Sequence, residues 1–262
     1  MEFRSGNIGF FDSGIGGISV LIKTMKLLEN ETFIYFGDSK NSPYGSKSQT
    51  EIINLSIKIC NFLIFENNCK AIVVACNTAS SAAIKVLRER YEPKVPIIGV
   101  EPAIKPAVDF VDLNNKERYI LLLATPFTVN GDKLKCLVNR YSNYKIECLA
   151  LDRLAYMIEH NESEQVIFDY LYTELYRYIE NVSCVVLGCT HYYFVENIIK
   201  NIFGKDVTIF DGSLGTAMEL KRRLLENNLA NDLDNSSIKI HIYNSLNNDK
   251  VLYCYKILRE LI

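Results

Sequence analysis

The sequence predicts an α/β fold made of two similar doubly wound domains, and three observations support this prediction. Short apolar runs of strand length alternate along the 262 residues with longer segments of helical periodicity. The short runs are almost continuously apolar, which is typical of parallel strands buried on both faces. An apolar strand that ends in a cysteine-containing turn occurs twice, at residues 72–78 and 184–190. We therefore expect one parallel sheet in each domain.

The predicted elements alternate over most of the chain. Strands are predicted at residues 7–11, 32–36, 71–75, 96–100, 119–123, 144–148, 184–187 and 207–210. Helices are predicted at residues 18–28, 49–66, 79–90, 164–179, 193–203 and 214–227. A helix that connects two strands returns the chain to the same end of the sheet, so consecutive strands are expected to run parallel.

The repeated unit of strand, cysteine turn and helix indicates the domain organisation. Cys76 and Cys189 are 113 positions apart, about the length of a small domain. We expect residues 1–98 and 208–262 to form the first domain and residues 99–207 the second. The two domains are predicted to be related by a pseudo-two-fold axis, with the active site between them.

Composition favours an intracellular protein that acts on a small molecule. A net charge of -2 and a pI near 6.0 provide no field that would gather nucleic acid or an anionic membrane. No segment approaches the ~20 apolar residues that a membrane span needs. The first residues lead directly into a strand-like segment, so we expect no signal peptide and a cytoplasmic location.

The eight cysteines fall into two groups. No Cys-x-x-Cys pair occurs, which argues against a zinc ribbon or a thioredoxin-type site, and a reducing compartment is expected. Free cysteines are usually small buried side chains. We assign six of them to packing: Cys60, Cys69, Cys136, Cys148, Cys184 and Cys254.

The remaining two, Cys76 and Cys189, lie where doubly wound sheets bind their ligands. Both follow a predicted strand and precede a predicted helix, at the carboxyl end of the sheet. The positive end of a helix dipole favours a thiolate and lowers the pKa of a thiol. Free backbone N–H groups in the same turn can bind a carboxylate. Each turn therefore offers a base and part of an anion site, although a single strand-end cysteine is often only packed.

Two further turns and one histidine are candidates for the same site. The glycine-rich turn at residues 12–17 lacks the spacing of a dinucleotide fingerprint and of a Walker loop, so no nucleotide cofactor is expected. Asp12 and Ser13 in this turn either serve a ligand or cap the following helix. Tyr44, in the turn at residues 41–46, either donates to a ligand or covers a loop. His191 is placed to assist the thiol of Cys189.

Taken together, four motifs resemble the glutamate racemase family, within the aspartate/glutamate racemase superfamily. They are DSGIGG at residues 12–17, PYG at 43–45, CNT at 76–78 and GCTH at 188–191. The motifs follow the order and spacing of the family over essentially the whole chain. The resemblance implies cofactor-independent interconversion of L- and D-glutamate, supply of D-glutamate for peptidoglycan, and a homodimer.

The resemblance also implies a role for each matching residue. Cys76 is similar to the base that takes the α-proton of D-glutamate, and Cys189 to the base that acts on L-glutamate. Asp12 and His191 are similar to the residues that assist these thiols, and Glu159 matches a glutamate beside His191. The implied substrate-binding residues are Asp12, Ser13, Tyr44, Gly45, Asn77, Thr78, Thr125, Thr190 and His191. The family's Gly-Thr turn falls at residues 123–128, with Ala124 in place of the glycine.

Three alternatives remain open. Another racemase of the superfamily, acting on aspartate or a hydantoin, would share the paired cysteines. Cys76, Cys189 and His191 are also ligand types for zinc, as in a hydrolase. A non-catalytic amino-acid-binding protein would keep the anion-binding turns without needing two thiols. A cysteine phosphatase is disfavoured, because Ala82 and Val195 stand where its arginine would be.

Overall fold

Each half of the chain folds around its own parallel sheet. The computed structural model describes residues 6–92, 94–111, 119–231 and 239–262. The chain divides into a first unit, Met1–Glu101 with Ser213–Ile262, and a second unit, Pro102–Gly212. Residues 1–5, on which the expected absence of a signal peptide depended, lie outside the described residues.

The elements alternate as the sequence predicts. The strands are β1 Asn7–Asp12, β2 Thr32–Gly37, β3 Cys69–Val74, β4 Ile97–Gly99, β5 Tyr119–Ala124, β6 Ile146–Ala150, β7 Val182–Leu187, β8 Thr208–Asp211 and β9 Lys239–Asn244. The helices are α1 Ile18–Leu27, α2 Gln49–Asn61, α3 Asn77–Tyr91, α4 Ile104–Phe110, α5 Pro126–Asn130, α6 Asp132–Asn139, α7 Leu154–Glu159, α8 Glu164–Leu175, α9 Glu196–Phe203, α10 Ser213–Glu226 and α11 Asn248–Leu261. Among the described residues, no helix is both long and apolar enough to span a membrane.

Polar side chains at the helix starts fix several of these boundaries. Ser48 and Glu51 form a reciprocal capping box at the start of α2, in which each side chain bonds the other residue's backbone N–H. Ser163 caps α8 and Asn247 caps α11 by accepting a backbone N–H of the first turn. These caps satisfy donors that the helix itself leaves unpaired.

The two sheets share one strand order. The first unit has the order β4-β3-β1-β2-β9, and the second has β6-β5-β7-β8. Read from the other edge, β2-β1-β3-β4 of the first sheet corresponds to β6-β5-β7-β8 of the second, with β9 added beside β2. All pairings are parallel. The predicted class, two α/β domains with parallel sheets, is confirmed.

The correspondence extends to individual residues. Phe11 pairs with Val74 and accepts from the N–H of Ala75 at 2.8 Å. Leu123 pairs with Leu187 and accepts from the N–H of Gly188 at 2.7 Å. In both sheets the pairing of the first and third strands shifts register at the same place, after the first residue of the pair. Cys76 and Cys189 therefore occupy equivalent positions, each two residues beyond its strand.

The domain boundaries lie later in the chain than the predicted ones at 98/99 and 207/208. The divisions fall after Glu101 and after Gly212. The second difference has a clear cause, because β8 pairs in parallel with β7 and so belongs to the second sheet. Its four residues are all half-buried, and the sequence alone did not show which sheet they join.

Several helix predictions were also wrong in detail. The helix predicted at residues 193–203 is α-helical only from Glu196, after a 3₁₀ segment at Thr190–Val195. The one predicted at residues 49–66 ends as a π-helical turn at Phe62–Glu66. Helices α4, α5, α6, α7 and α11 were not predicted. All except α11 are eight residues or shorter, and such helices show few turns of periodicity.

The packing prediction holds for most of the six cysteines. Burial raises the pKa of Cys69 and Cys184 to about 12 and that of Cys148 to about 11, and it raises the pKa of Cys60 further. These thiols stay protonated at neutral pH. Cys136 is a correction, because its side chain is exposed on α6, whose Leu134 is buried. The sequence showed its apolar neighbours but not which face of this short helix they occupy.

Candidate active site

Three turns at the carboxyl ends of β1, β2 and β3 gather polar side chains in the first unit. We call this group the first thiol site; it consists of Asp12, Ser13, Asp38, Tyr44, Gly45, Cys76, Asn77 and Thr78. All of them except Gly45, which is half-buried, are almost completely buried. Buried polar groups are costly unless they are paired or bind a ligand, so such a concentration marks a candidate functional site.

Cys76 is held at the N-terminus of α3. It is the N-cap residue, and its Sγ accepts from the N–H of Ala79 at 3.4 Å. The same sulfur lies 3.7 Å from Oγ of Ser13, to which the thiol donates. A backbone N–H directed at the sulfur and the dipole of a 15-residue helix both favour the thiolate. The geometry expected for an activated cysteine is therefore present.

The glycine-rich turn brings Asp12 close to the third strand. Oδ1 of Asp12 accepts from the N–H of Gly14 at 2.8 Å, and the hydroxyl of Tyr35 donates to the Gly14 carbonyl at 2.7 Å. A Cβ at Gly17 would lie 2.8 Å from Cβ of Asp12 and 2.9 Å from Cβ of Ala75, so only glycine fits there. Helix α1 begins at Ile18, and its N-cap residue, Gly17, has no side chain to cap it. Asp12 thus closes the turn through its bond from the Gly14 N–H.

Tyr44 is fixed by a residue that sequence reasoning missed. Its hydroxyl donates to Oδ2 of Asp38 at 2.6 Å, and Asn41 donates to both carboxylate oxygens at 2.9 and 3.1 Å. Burial, together with the charge of Asp38, raises the pKa of Tyr44 far above its ordinary value, and Cys76 and Asp12 act in the same direction. Asp38 directly follows β2. A polar residue at the end of a predicted strand was the signal that identified Asp12, and the same signal would have identified Asp38.

Asn77 carries an unsatisfied donor inside this site. Its side chain is 6% exposed, and its Nδ2 has no hydrogen-bond partner among the described residues. Buried amides are almost always paired, so an unpaired one inside a cluster of polar side chains is a candidate donor to a ligand or to ordered water. Asn77 is the first residue of α3, where backbone N–H groups also point outward. Donors of both kinds at one helix start suit a carboxylate.

Replacing Tyr44 with phenylalanine is expected to lower the free energy of unfolding by about 1–3 kcal/mol. Of the side-chain donors to the buried Asp38 carboxylate within the described residues, the variant leaves the amide of Asn41. Urea denaturation measures the loss. The matched control is Tyr243→Phe, which removes an exposed hydroxyl bond to Asn67 and should cost less. Equal losses in the two variants would contradict the assigned strength of the Tyr44–Asp38 bond.

The second unit carries a corresponding group, which we call the second thiol site: Thr125, Glu159, Cys189, Thr190 and His191. All five side chains are buried. Cys189 follows β7 and precedes the 3₁₀ segment, and within the described chain its side chain caps no backbone N–H of that segment. The helix-dipole argument made from the sequence is therefore weaker here than at Cys76.

His191 is paired with Glu159 instead. Nε2 of the imidazole lies 2.9 Å from Oε2 of the carboxylate, and both side chains are 2% exposed. A buried carboxylate at that distance fixes the orientation of the imidazole ring. A histidine oriented by a buried carboxylate is an arrangement suited to moving protons.

Thr125 lies at the end of β5, the strand paired with β7. Its Oγ1 accepts from the N–H of Thr128 at 3.4 Å and caps α5, and its hydroxyl donates to Oγ1 of Thr128 at 3.1 Å. A Cβ at Gly188 would lie 3.0 Å from Cβ of Ala124. The alanine in this turn is therefore accommodated by the glycine that precedes Cys189.

The two thiol sites differ in charge at equivalent positions. Asp38 donates its backbone N–H to the Asp12 carbonyl at 2.9 Å, as Leu151 does to the Ala124 carbonyl at 2.9 Å. The first site thus has two carboxylates where the second has Ala124 and Leu151. In the second site the carboxylate comes from α7, through the pair of Glu159 with His191.

A profile of the Asp/Glu/hydantoin racemase family matches residues 22–218. Over 99% of its length, the chain is 43% identical to the whole of the glutamate racemase of Clostridium kluyveri. The chain belongs to the glutamate racemase family. It is thus an enzyme of the isomerase class, and members of this family have been solved with both enantiomers of one amino acid.

Two glutamate racemase structures resemble this member of the family over most of both chains. The enzyme of Francisella tularensis, solved with D-glutamate, has a TM-score of 0.80 and 31% identity, covering 97% of this chain and 94% of its own. The enzyme of Escherichia coli, solved with L-glutamate, has a TM-score of 0.83 and 28% identity, covering 97% and 95%. In this glutamate racemase family member, the described residues contain no group of three His, Cys, Asp or Glu side chains arranged to hold a metal ion.

Proposed function

We propose that the chain interconverts L- and D-glutamate by a two-base mechanism that uses Cys76 and Cys189 and no cofactor. The observation that carries the proposal is that the two thiols occupy equivalent positions in two units of the same topology. Inverting a carbon centre needs a base on one face and an acid on the other, and a pair of equivalent thiols supplies both. Family membership supports glutamate as the substrate.

In the proposed reaction, one thiol is ionised and the other is protonated at the start of each turnover. The thiolate takes the α-proton, and the thiol on the opposite face returns a proton to Cα, so the two cysteines exchange states. Cys189 acts as the base toward L-glutamate and Cys76 as the base toward D-glutamate. Asp12 assists the first thiol and the His191–Glu159 pair assists the second, by accepting and returning thiol protons.

Residues of both sites, including Asp12 and His191, are proposed to bind the substrate. The α-proton of an amino acid is weakly acidic, so the charge that develops on Cα and the carboxylate needs fixed donors. The unpaired Nδ2 of Asn77 and the N–H groups at the start of α3 fit this task. The proposed binding residues are Asp12, Ser13, Tyr44, Gly45, Asn77, Thr78, Thr125, Thr190 and His191.

Incubation with L-glutamate in deuterium oxide, without added cofactor, tests the proposal. We expect D-glutamate to accumulate with one deuterium at Cα, as measured by chiral separation with mass spectrometry. Aspartate and a 5-substituted hydantoin, incubated in parallel, serve as competing substrates. Preferential racemisation of either would assign another activity within the superfamily. D-glutamate without deuterium would contradict proton exchange with the thiols.

We also propose a cellular setting for this activity. The resemblance to the family supports a cytoplasmic enzyme that supplies D-glutamate for peptidoglycan, and a homodimer. The net charge of -2 is in keeping with a small-molecule substrate rather than nucleic acid. Light scattering on the purified chain gives the oligomeric state, and D-glutamate auxotrophy after gene deletion in the source bacterium tests the metabolic role.

A further inference from the structure

One tyrosine of the second unit links the two segments that bear the second thiol site. The turn after β7 carries Cys189 and His191, whereas Glu159 lies at the end of α7. Helix α7 packs against the 3₁₀ segment Thr190–Val195. The distance between the imidazole and the carboxylate depends on how the loop at residues 151–153, which leads into α7, is held against the turn after β7.

Tyr192 makes that connection. Its side chain is completely buried, and its hydroxyl donates to the Leu151 carbonyl at 3.0 Å. Its backbone N–H donates to the Cys189 carbonyl at 3.1 Å, which closes the turn. Burial raises the pKa of Tyr192 well above its ordinary value, and the neighbouring Cys189 adds to the shift, so the phenol remains a donor. The hydroxyl bond to Leu151 thus joins the turn that carries Cys189 to the loop that leads into α7.

The same loop is also held by Tyr170 of α8. Its hydroxyl donates to Oδ1 of Asp152 at 3.1 Å and accepts from the N–H of Arg153 at 3.5 Å. The guanidinium of Arg153 lies 5.7 Å from the centre of the Tyr170 ring. Because these contacts are partly exposed, they hold the loop less firmly than the buried bond of Tyr192.

We infer that Tyr192 is a positioning residue of the second thiol site. Its hydroxyl bond to Leu151 holds the turn after β7 against the loop before α7, and so keeps the imidazole and the carboxylate of that site in contact. The inference rests on the proposed function, because it assigns Tyr192 to the half of the reaction in which Cys189 is the base. Small displacements of a proton-transfer group are enough to slow a reaction severalfold.

The test is Tyr192→Phe, which keeps the ring and removes the hydroxyl. We expect kcat for glutamate racemisation to fall roughly tenfold, with KM changed by less than about twofold. The second measurement uses elimination of HCl from 3-chloroglutamate, which needs only one base. In a Cys76→Ala background, elimination from the L enantiomer should fall by the same factor. In a Cys189→Ala background, elimination from the D enantiomer should not change.

Measuring elimination from the L and D enantiomers separately distinguishes a positioning effect from a general loss of structure, since unfolding would lower both eliminations equally. Tyr172→Phe, on α8 and half-exposed, is the matched control and should leave kcat unchanged. Tyr170→Phe should give a smaller loss of elimination, again from the L enantiomer only. This second variant tests the inference if Tyr192→Phe folds poorly. If the wild type racemises glutamate, equal losses of elimination from the two enantiomers, or no loss from either, overturn the inference. A wild type that does not racemise glutamate overturns the proposed function itself, and the inference with it.

Discussion

Cys76→Ala is expected to abolish glutamate racemisation, with a loss on the order of a thousandfold or more, and Cys189→Ala should do the same. In the proposed mechanism each thiol is indispensable in both directions, because one takes the proton and the other returns it. A single remaining thiol still serves one half of the reaction. The chiral assay in deuterium oxide measures the racemisation, and 3-chloroglutamate reports the half-reaction.

The elimination assay should distinguish the two variants by the enantiomer of 3-chloroglutamate that each still processes. With Cys76→Ala, Cys189 still takes the α-proton of L-3-chloroglutamate, the C–Cl bond breaks, and chloride leaves. The resulting enamine hydrolyses to 2-oxoglutarate and ammonia, both of which are easily assayed. Cys189→Ala should process only the D enantiomer. Either variant racemising glutamate normally would contradict the two-base mechanism, and Cys136→Ala, at an exposed thiol, is the control that should retain full activity.

Lys70→Met is expected to cost about 3–5 kcal/mol of the free energy of unfolding, the largest effect on stability that we predict. Nζ of Lys70 lies 2.8 Å from Oε2 of Glu31 and donates to Oδ1 of Asn231 at 2.9 Å. Asn231 donates its backbone N–H and its amide to the same carboxylate, at 2.9 and 3.0 Å. Lys70 is completely buried and Glu31 is 4% exposed, so removing the cation leaves a buried charge without its main partner.

Urea denaturation of three variants tests this assignment. The double variant Lys70→Met/Glu31→Gln should be more stable than Lys70→Met alone, because the uncompensated charge is gone. Lys105→Met removes a comparable bond, 2.6 Å from Lys105 to Asp109, between exposed side chains and should leave stability unchanged. Folded Lys70→Met should retain its kcat, since Lys70 is at the start of β3 and Cys76 lies beyond its end. A double variant no more stable than the single one would contradict the buried-charge explanation.

The local pattern of the sequence predicted most of the fold. The apolar runs that form β1, β3, β5 and β7 are buried over almost their entire length, so the continuous apolar pattern correctly predicted strands buried on both faces. The strand-end turns that contain Cys76 and Cys189 were recognisable because each combines a thiol with the start of a following segment. The contact of His191 with Glu159 joins two residues that only the resemblance to the family, and no local pattern, implied to be neighbours.

What the sequence could not supply were contacts between distant residues. Lys70 interrupts an apolar run, its ionic partner Glu31 precedes a different strand, and Asn231 lies 161 positions away, so no local pattern indicated a buried ion pair. No local pattern distinguished Tyr192 from the other aromatic residues, because its hydrogen-bond partner Leu151 lies 41 positions back in the chain. The assignment of β8 to the second sheet likewise depended on its pairing with β7, which its short, half-buried sequence did not reveal.

The unequal charge of the two thiol sites has a consequence for the energetics of turnover. L- and D-glutamate are mirror images and have the same free energy in water, so the equilibrium constant of the proposed reaction is one. The ratio of kcat to KM must then be identical in the two directions, whatever Asp12 and Asp38 contribute on one side and His191 on the other. The asymmetry of the protein can therefore appear only in kcat and KM together: the enantiomer with the lower KM must have the lower kcat, by the same factor.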